Sequence, residues 1–364
     1  MSRHLASIRT IKAIDPIPGR DRIVLATVDG WHVIVRKDEY QVGDMCVYIE
    51  PDSVLPEREE FEFLRSKNFT IKTMKMAGVI SQGICFPLSI LTQNKNHYHV
   101  GDDVTEELGI THCVENADDV EPAKTVTHHN TNRLMKYGWY RKLYRWRHPK
   151  QVKGFHDFIS KTDEERIQNC PWVLEDKDKI WIATEKVDGT SMTVAMVKHK
   201  RHIIPDAYEF IVCSRNRRLS DEDDGSHYWK VVKKYDIENV LKKIINVYDL
   251  DWVAFQGEVI GPKIQGNKYH MSDVDFYVFN MIWPTGRKPS DVSKGLIENY
   301  GLKHVPLVTG YIRLPNTVDD VLAMAHGESE IGDTIREGLV FRDFDGLNSF
   351  KAVDPEFLLK YNAG

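Results

Sequence analysis

The residues with the clearest chemical potential form the tetrad Lys186-Val187-Asp188-Gly189. A lysine amine can attack phosphorus or carbonyl centres and form covalent intermediates when its surroundings favour loss of its proton. An alternating apolar pattern predicts a strand before the tetrad, over residues 180–185, and a returning strand after it, over residues 191–197. We therefore predict that Lys186 lies at the mouth of a β-hairpin, where Gly189 supplies backbone freedom. The same four residue types also occur in ordinary surface turns, so the chemistry depends on residues farther along the chain.

Five residues downstream have the chemistry that a nucleotide-transferring lysine requires. Arg215 follows a predicted strand, and its forked guanidinium can bind phosphate or ribose oxygens. Glu258 and Glu337 each lie beside a glycine, and Phe279 on an aromatic-rich strand could cover a purine face. Lys351 belongs to a late predicted strand. Each residue alone has a purely structural explanation, as a strand-end acid, a core ring or an ion-pair partner, but their order together favours a site.

In that order, the segments resemble the nucleotidyltransferase motifs of the polynucleotide ligase and capping-enzyme superfamily. Residues 185–191 look like the nucleophile motif, and residues 255–258 and 276–280 resemble the next two strands of RNA ligase 2-like enzymes. Residues 337–340 and 349–351 look like the last two motifs. The last motif of the family often has two lysines flanking one residue. Here Ser349 occupies the first place and only Lys351 remains, so phosphate contact is carried over to Lys351 alone.

The front of the chain resembles RNA ligases of the Naegleria type, which carry an N-terminal OB module. The resemblance lies in residues 25–31, 74–83 and 161–169. Asp29-Gly30 between two β-rich runs also predicts a hairpin, and several short strands at this spacing predict a small barrel.

We predict an α+β fold in which an OB-like β-barrel precedes a mixed, largely antiparallel nucleotidyltransferase domain. The predicted parts are the barrel (1–110), a linker with a basic-aromatic segment (111–153) and the transferase domain (154–364). A long amphipathic helix is expected over residues 227–248, and Thr317 with Asp320 predicts a capped helix start.

The composition narrows the class of protein. The 364 residues carry a net charge of −5, so a polyanion partner must meet a local basic surface. One candidate is the segment 133–153, which holds eight Lys or Arg residues, five aromatic residues and no acid. It would bind nucleic acid or form a solvated amphipathic helix. Five scattered cysteines, together with a start that shows no apolar leader, predict an intracellular protein with reduced thiols.

The resemblance implies an ATP-dependent RNA ligase that joins 3′-hydroxyl and 5′-phosphate ends through a covalent lysyl-AMP on Lys186. A free lysine, with a pKa of about 10.4, is almost fully protonated at neutral pH, so nearby positive charge or desolvation must favour the amine. A hydrated Mg²⁺ or Mn²⁺ held by Asp188, Glu258 and Glu337 would supply that charge. The expected catalytic residues are Lys186, Asp188, Glu258, Glu337 and Lys351. The expected ATP-binding residues are Glu185, Gly189, Arg215, Phe279, Val340 and Lys351.

Other functions remain open at this point. A GTP-dependent capping enzyme, or a DNA ligase, would place a second barrel after Lys351, where thirteen residues remain. A non-catalytic RNA-binding protein would carry the same folds without the chemistry. A minor alternative is a metal site at His128-His129 or at His199 and His202. We expect a monomer whose partner is RNA, as a nicked duplex or broken ends, with no membrane association.

Overall fold

A computed structural model describes residues 4–92, 97–113, 164–201, 205–215, 217–219, 225–344 and 346–361. The basic-aromatic segment 133–153 lies outside these residues. The chain divides into two compact units, and it passes from the first to the second between Lys186 and Val187 and returns between Val305 and Pro306. The first unit combines the barrel with residues 164–186 and 306–361, whereas the described part of the second lies within residues 187–305. These two units differ from the three consecutive parts predicted from the sequence, and the predicted domain boundaries stay a prediction.

The elements follow one another in chain order. The strands are β1 Ala6–Pro16, β2 Ile23–Val28, β3 Trp31–Arg36, β4 Met45–Ile49, β5 Ser53–Val54, β6 Met74–Met76, β7 Val79–Ser81, β8 Ile84–Phe86, β9 Thr111–His112, β10 Trp181–Lys186, β11 Thr190–His199, β12 Ala207–Ser214, β13 Trp252–Ile260, β14 Asp275–Trp283, β15 Gly286–Arg287, β16 Lys303–His304, β17 Leu307–Ile312, β18 Gly338–Asp343 and β19 Ser349–Val353. The α-helices are α1 Thr105–Leu108, α2 His227–Lys234, α3 Ile237–Tyr248, α4 Ser290–Asn299, α5 Val318–Ala325 and α6 Pro355–Tyr361.

The N-terminal part of the first unit is a nearly closed barrel, as predicted. Its five strands follow the order β3-β2-β1-β4-β8. The outer edge of β3 bonds to the residues just before β8, where the Ile34 N–H donates to Ser81 Oγ (3.0 Å) and the Gln82 N–H to the His32 carbonyl (2.8 Å). Alternation along β3 buries Trp31 and the two valines after it in the barrel core.

The hairpin predicted at Asp29-Gly30 is confirmed. Strands β2 and β3 pair antiparallel on either side of it, with Val28 opposite Trp31. Asp29 has a φ of 52°, the left-handed conformation that such tight turns require.

The C-terminal part of the first unit contains a four-stranded sheet in the order β17-β10-β18-β19. Helix α5 packs on its inner face, through Val321 and Ala325. The predicted cap of this helix is confirmed, because Thr317 Oγ1 accepts the Asp320 N–H at 3.1 Å.

The barrel is fastened to this sheet within the same unit by residues 164–169. Arg166 donates to Asp52 of the barrel at 2.8 Å, and Asn169 bonds to both Trp31 and Glu50 at 2.8 and 2.6 Å. On the other side, the Lys351 N–H of β19 donates to the Glu165 carbonyl at 2.8 Å. One short segment therefore connects the barrel to a strand of the transferase sheet.

The second unit is built on a six-stranded sheet in the order β12-β11-β13-β14-β15, with β16 parallel to β14. Helices α2, α3 and α4 contribute to the hydrophobic core on one face of this sheet. A smaller hydrophobic cluster on the other face includes Ala195, Cys213 and Ala254. The single helix predicted over residues 227–248 is wrong, since α2 and α3 are separate. The chain breaks at Asp236, whose φ of 47° is incompatible with a continuous helix.

The two units together confirm the predicted fold class: a nearly closed barrel followed by mixed, largely antiparallel sheets. Within the described ranges, no helix is long and apolar enough to cross a membrane.

Candidate active site

The strand β10 presents two different faces because its side chains alternate. Trp181 and Ala183 point into the core, where they pack with Leu339 and Phe350 of the neighbouring strands. Thr184 and Lys186 therefore lie on the opposite face. The predicted hairpin around the tetrad is wrong, because β10 and β11 belong to different sheets. Lys186 instead ends the last strand before the chain crosses into the second unit.

Lys186 and Glu337 form an ion pair, with 2.5 Å between Lys186 Nζ and Glu337 Oε1. Their side chains are 24% and 13% exposed, so water screens the pair only partly. A carboxylate at this distance stabilises the ammonium form of the lysine. The second oxygen of Glu337, Oε2, is buried and has no hydrogen-bond partner among the described residues. The predicted nucleophile and one predicted metal carboxylate are thus in direct contact.

The position of Glu337 follows from strand register and from the glycine after it. Gly338 pairs with Lys186 on one side and Val353 on the other. A Cβ on Gly338 would lie 2.2 Å from the Ala352 carbonyl oxygen, and its φ of 154° is one that side chains rarely adopt. The glycine therefore allows the close strand contact that begins β18 immediately after Glu337.

Lys351 lies on the same face as Lys186, on the far strand of the sheet. Thr184, Val340 and Lys351 form one cross-strand row, two residues along from the row of Lys186. Strand spacing and rise place the Cα atoms of the two lysines about 12 Å apart, within reach of two long side chains that approach one phosphate. The predicted ATP-binding residue Val340 lies between them in the sheet.

The position predicted to have lost a lysine, Ser349, belongs to a small polar network. Its hydroxyl bonds to Glu164, and the Arg342 guanidinium lies 3.6 Å from the other oxygen of that carboxylate. Arg342 also donates to Thr184 Oγ1 at 3.2 Å. Sequence reasoning missed Arg342, although it lies two residues after Val340 and therefore on the same face.

Glu185 is nearly fully buried, at 2% exposure, although it directly precedes the nucleophile. Its carboxylate accepts hydrogen bonds from Ser329 Oγ at 2.5 Å and from the Glu330 N–H at 3.0 Å. Burial raises the pKa of this carboxyl group, while the two hydrogen bonds and the nearby Arg336 charge oppose that shift.

The second unit holds the rest of the tetrad. Asp188 forms an ion pair with Lys268, and its N–H donates to the Tyr269 hydroxyl at 2.8 Å. Both charged side chains are largely buried, at 18% and 15% exposure. Sequence reasoning missed Lys268, because a single lysine in a loop 80 residues away gives no local signal.

Gly189 has a structural role that differs from the predicted one. It is absent from the positive-φ residues, so backbone freedom is not what the position requires. A Cβ there would lie 2.5 Å from the Val259 carbonyl oxygen and 2.8 Å from Ile260. Glycine is needed because the chain enters β11 pressed against β13.

Glu258 and Phe279 lie on neighbouring strands of the second unit. Glu258 pairs with Ser191 on β11 and with Tyr277 on β14, and it is half-buried. Phe279 is the extra residue of a bulge, since Gln256 pairs with Asn280 and the next residue, Gly257, with Val278. Bulges are enriched beside active sites, where they redirect a side chain. The register of β13 and β14 thus skips Phe279 alone, between Val278 and Asn280.

Other candidate positions give a mixed picture. Arg215 directly follows β12 and is exposed. His199 lies 3.3 Å from Glu209, whereas His128, His129 and His202 are outside the described residues. The part of the chain that the structure describes holds no cluster of three or more His, Cys, Asp or Glu side chains suited to a metal ion.

A surface groove of about 690 Å³ lies at the opposite end of β10 from Lys186, in the first unit. It contains none of the predicted site residues. Its lining residues are Asp176, Asp178, Lys179, Ile180, Tyr311 and Phe344.

Comparison with known proteins identifies the class that this fold and site define. A sequence profile of the RNA ligase family matches residues 179–361, and a profile of an OB-fold domain matches residues 5–88. A comparison with curated proteins gives no match.

Solved structures of Naegleria gruberi RNA ligase resemble the whole chain at 30% identity. A variant of that enzyme with ATP and manganese has a TM-score of 0.80, covering 99% of this chain and 100% of that one. A variant with AMP and manganese, and the enzyme with pyrophosphate, each have a TM-score of 0.78 and cover 100% of both chains. The chain therefore belongs to the RNA ligase family, with an N-terminal OB-fold domain.

Proposed function

We propose that this RNA ligase uses ATP to join 3′-hydroxyl and 5′-phosphate RNA ends, most favourably at nicks in a duplex. The observation that carries the proposal is the ion pair between Lys186 and Glu337 at the end of β10, on a sheet face that also carries Lys351. The similar Naegleria gruberi enzyme has been solved with ATP and manganese, with AMP and manganese, and with pyrophosphate. ATP is the reactant of such a first step, and pyrophosphate is the product that leaves.

The first step would make a covalent bond between the chain and AMP. Lys186 Nζ attacks the α-phosphorus of ATP, a phosphorus–nitrogen bond forms, and the bond to the departing pyrophosphate breaks. Lys186 must first lose a proton, which would pass to water or to the Glu337 carboxylate in contact with it. Lys351 and Arg215 would offset the charge that develops on the α-phosphate oxygens. Phe279 would stack on adenine, while backbone groups near Glu185 and Val340 would contact its edge.

Two further transfers would complete the reaction. The AMP passes from Lys186 to the 5′-phosphate of one RNA end, which restores the free lysine. The 3′-hydroxyl of the other end then attacks that phosphate, expels AMP and forms the phosphodiester. The first two steps displace a group from the phosphorus of AMP, and the third displaces AMP from the 5′-phosphorus of the RNA. The sheet face that carries Lys186 and Lys351 would act in all three, because each is a displacement at phosphorus.

The Glu337 carboxylate suits a divalent cation. Glu337 has a buried oxygen without a hydrogen-bond partner among the described residues, and oxygen donors of this kind suit Mg²⁺ or Mn²⁺. Glu337, with Asp188 and Glu258, would hold the cation through its water shell, as the family resemblance implies. When bound, the cation would supply positive charge that favours the amine form of Lys186 and offsets the triphosphate.

The intracellular location and the monomeric state, both expected from the sequence, stay predictions. The role of the barrel in holding RNA, and that of the segment 133–153, belong to the same proposal. OB-folds bind single strands through stacking and a basic groove, so either element would add affinity without taking part in the chemistry.

Label transfer from α-labelled ATP tests this function directly. The wild-type protein should acquire label that survives denaturation, and GTP should not replace ATP. Lys186→Ala should acquire no label while its unfolding temperature stays within a few degrees of wild type. Lys294→Ala is a matched control, because Lys294 pairs with Glu298 on an exposed helix. Full labelling of Lys186→Ala would overturn the proposal.

The substrate is tested with matched nicked duplexes that carry RNA or DNA on each side of the break. Sealing should require RNA on the 3′-hydroxyl side, where a 2′-hydroxyl can be recognised. Equal sealing of DNA on both sides would contradict an RNA-specific role. Labelling without any sealing would point to a capping-type transferase.

A further inference from the structure

A purely structural role in β10 would not require an acidic side chain at Glu185, because the position is buried. The side chain points away from the sheet face that carries Lys186 and Lys351, because Lys186 comes directly after it and side chains alternate along a strand. At 2% exposure, a carboxylate is costly unless it is fully hydrogen-bonded. Its two partners, Ser329 Oγ and the Glu330 N–H, lie 144 and 145 positions along the chain. The acid therefore connects β10 to a distant loop.

The loop that it reaches runs over residues 326–336, between α5 and β18, and leads directly into Glu337. Arg336 fastens the base of the loop by donating to the carbonyls of Met324 and Ala325 at 3.0 Å. Within the loop, the Ser329 N–H donates to the Thr334 carbonyl at 2.8 Å, and the Ile331 N–H donates to Ser329 Oγ at 3.1 Å. Ser329 is thus the point where the loop's internal bonds meet the carboxylate of Glu185.

Strand β10 and this loop are therefore joined at two adjacent residues. Glu185 holds the loop at Ser329 and Glu330, and Lys186 meets Glu337, where the loop ends. On the strand side, Glu185 pairs with Leu339 and Lys186 with Gly338. Movement of the loop relative to β10 would change the separation between Lys186 Nζ and Glu337.

We infer that Glu185 is a positioning residue, whose carboxylate holds the 326–336 loop so that Glu337 stays aligned with Lys186 during transfer of AMP. The inference rests on the proposed function, because it assigns a role in that reaction. It differs from the backbone contact to adenine expected for this residue, since the carboxylate lies on the other side of the strand. The loss of the brace should slow the attack by Lys186 without weakening the binding of ATP.

Single-turnover labelling with α-labelled ATP, over a range of ATP concentrations, tests the brace. Ser329→Ala removes one of the two hydrogen bonds to Glu185, together with the bond that Ser329 Oγ accepts from the Ile331 N–H, and should slow the labelling rate constant about tenfold. Glu185→Ala removes both bonds and should slow it about a hundredfold, the scale of a misplacement near 1 Å. The ATP concentration for half-maximal rate should change by less than about twofold in both variants.

Two conservative variants should restore the rate. Ser329→Thr keeps the hydroxyl, and Glu185→Gln can accept the Glu330 N–H while it donates to Ser329 Oγ. Both should label within about fivefold of the wild-type rate constant, because each retains two hydrogen bonds. The labelled fraction at the end point, with circular dichroism, separates the rate of properly folded molecules from loss of folded protein.

Three outcomes would overturn the inference. In the first outcome, Ser329→Ala and Glu185→Ala label at the wild-type rate constant. In the second, only their labelled fraction falls, which would show that the contact supports folding and not the rate of transfer. A rise in the half-maximal ATP concentration at an unchanged maximal rate would instead make Glu185 a binding residue. Failure of the wild-type protein to label would sink the proposed function itself, so the two failures are distinguishable.

Discussion

The two transferase sheets each hold a lysine against a carboxylate, but they hold it in different ways. In the four-stranded sheet, Lys186 meets Glu337 at strand ends fixed by register and by the contacts of Glu185. Beside the six-stranded sheet, Asp188 precedes β11 and meets Lys268, which lies on the loop between β13 and β14. That loop has left-handed residues at Lys263, Gln265, Asn267 and His270. Each such residue costs about 1–2 kcal/mol of backbone strain.

The difference separates two tasks within one tetrad. Lys186 requires a fixed position relative to the atom that it attacks, since small errors in alignment reduce rates strongly. The charge of Asp188 is balanced by Lys268 of its own unit, so the acid is not a bare neighbour that holds the nucleophile protonated. The sequence places the two residues only two positions apart, yet the structure assigns them to different units and different partners.

Glu337→Gln should have the largest effect on activity, because it removes a carboxylate proposed to hold the divalent cation that favours the amine form of Lys186, while it keeps the size of the side chain. We expect AMP transfer to slow by about 10²–10³-fold, the usual consequence of losing one electrostatic contact in a transfer site. Stability should fall by about 1–3 kcal/mol, because both side chains of the pair are largely buried. Rates of labelling with Glu298→Gln as control would check this, and a wild-type rate for Glu337→Gln would remove Glu337 from the site.

Gly338→Ala should have the largest effect on stability, because the new Cβ would lie 2.2 Å from a carbonyl oxygen in a conformation with positive φ. We expect a loss of about 3 kcal/mol or more in the free energy of unfolding. The control is Gly295→Ala, whose Cβ meets nothing within 4 Å on helix α4. It should add about 0.5–1 kcal/mol by helix propensity. Urea unfolding of both variants measures the contrast, and equal stabilities would contradict the strand contact.

Lys268→Met should have an intermediate effect, centred on Asp188. Removal of Lys268 takes the ion pair away from a largely buried carboxylate, which should cost about 1–3 kcal/mol of stability. A double-mutant cycle with Asp188→Asn isolates the pair, and the double variant should lose less than the two single losses together. Additive losses would show that the two side chains do not interact in solution.

The pH dependence of stability should show the smallest effect, and it arises from Glu185. Burial raises the pKa of its carboxyl group above the ordinary value of 4.5, so the folded state binds its proton more tightly than the unfolded state. This contribution is full below pH 4.5 and is lost as the pH rises through the folded pKa. The free energy of unfolding of the wild type, relative to Glu185→Gln, should therefore fall as the pH rises through that window. A rise in the free energy of unfolding over the same pH window would mean that folding lowers the pKa of Glu185, contrary to this account.

The sequence predicted the features that depend on local residue patterns and on the order of motifs. The strands around Lys186, Glu258, Phe279 and Lys351 are all present, because alternation of apolar residues reports a half-buried strand directly. The turn at Asp29-Gly30 and the cap at Thr317 were predictable for the same reason, since each depends on two or three adjacent residues.

The errors and omissions concern residues far apart in the chain. The hairpin around the tetrad failed, because strand neighbours are decided by tertiary pairing: Lys186 lies opposite Gly338, and Ser191 opposite Glu258. The contacts of Lys268 with Asp188, and of Ser329 with Glu185, join residues 80 and 144 positions apart. Neither contact leaves a pattern in a single sequence.

The central claim is that Lys186 is the residue that carries AMP. The most direct measurement is tandem mass spectrometry of peptides from wild-type protein incubated with ATP and Mg²⁺, without RNA. The account predicts a single AMP adduct on the peptide that contains Lys186, sensitive to acid as a phosphoramidate is, and absent from Lys268 and Lys351. An adduct on another lysine, or an unmodified Lys186 in protein that seals RNA, would contradict it.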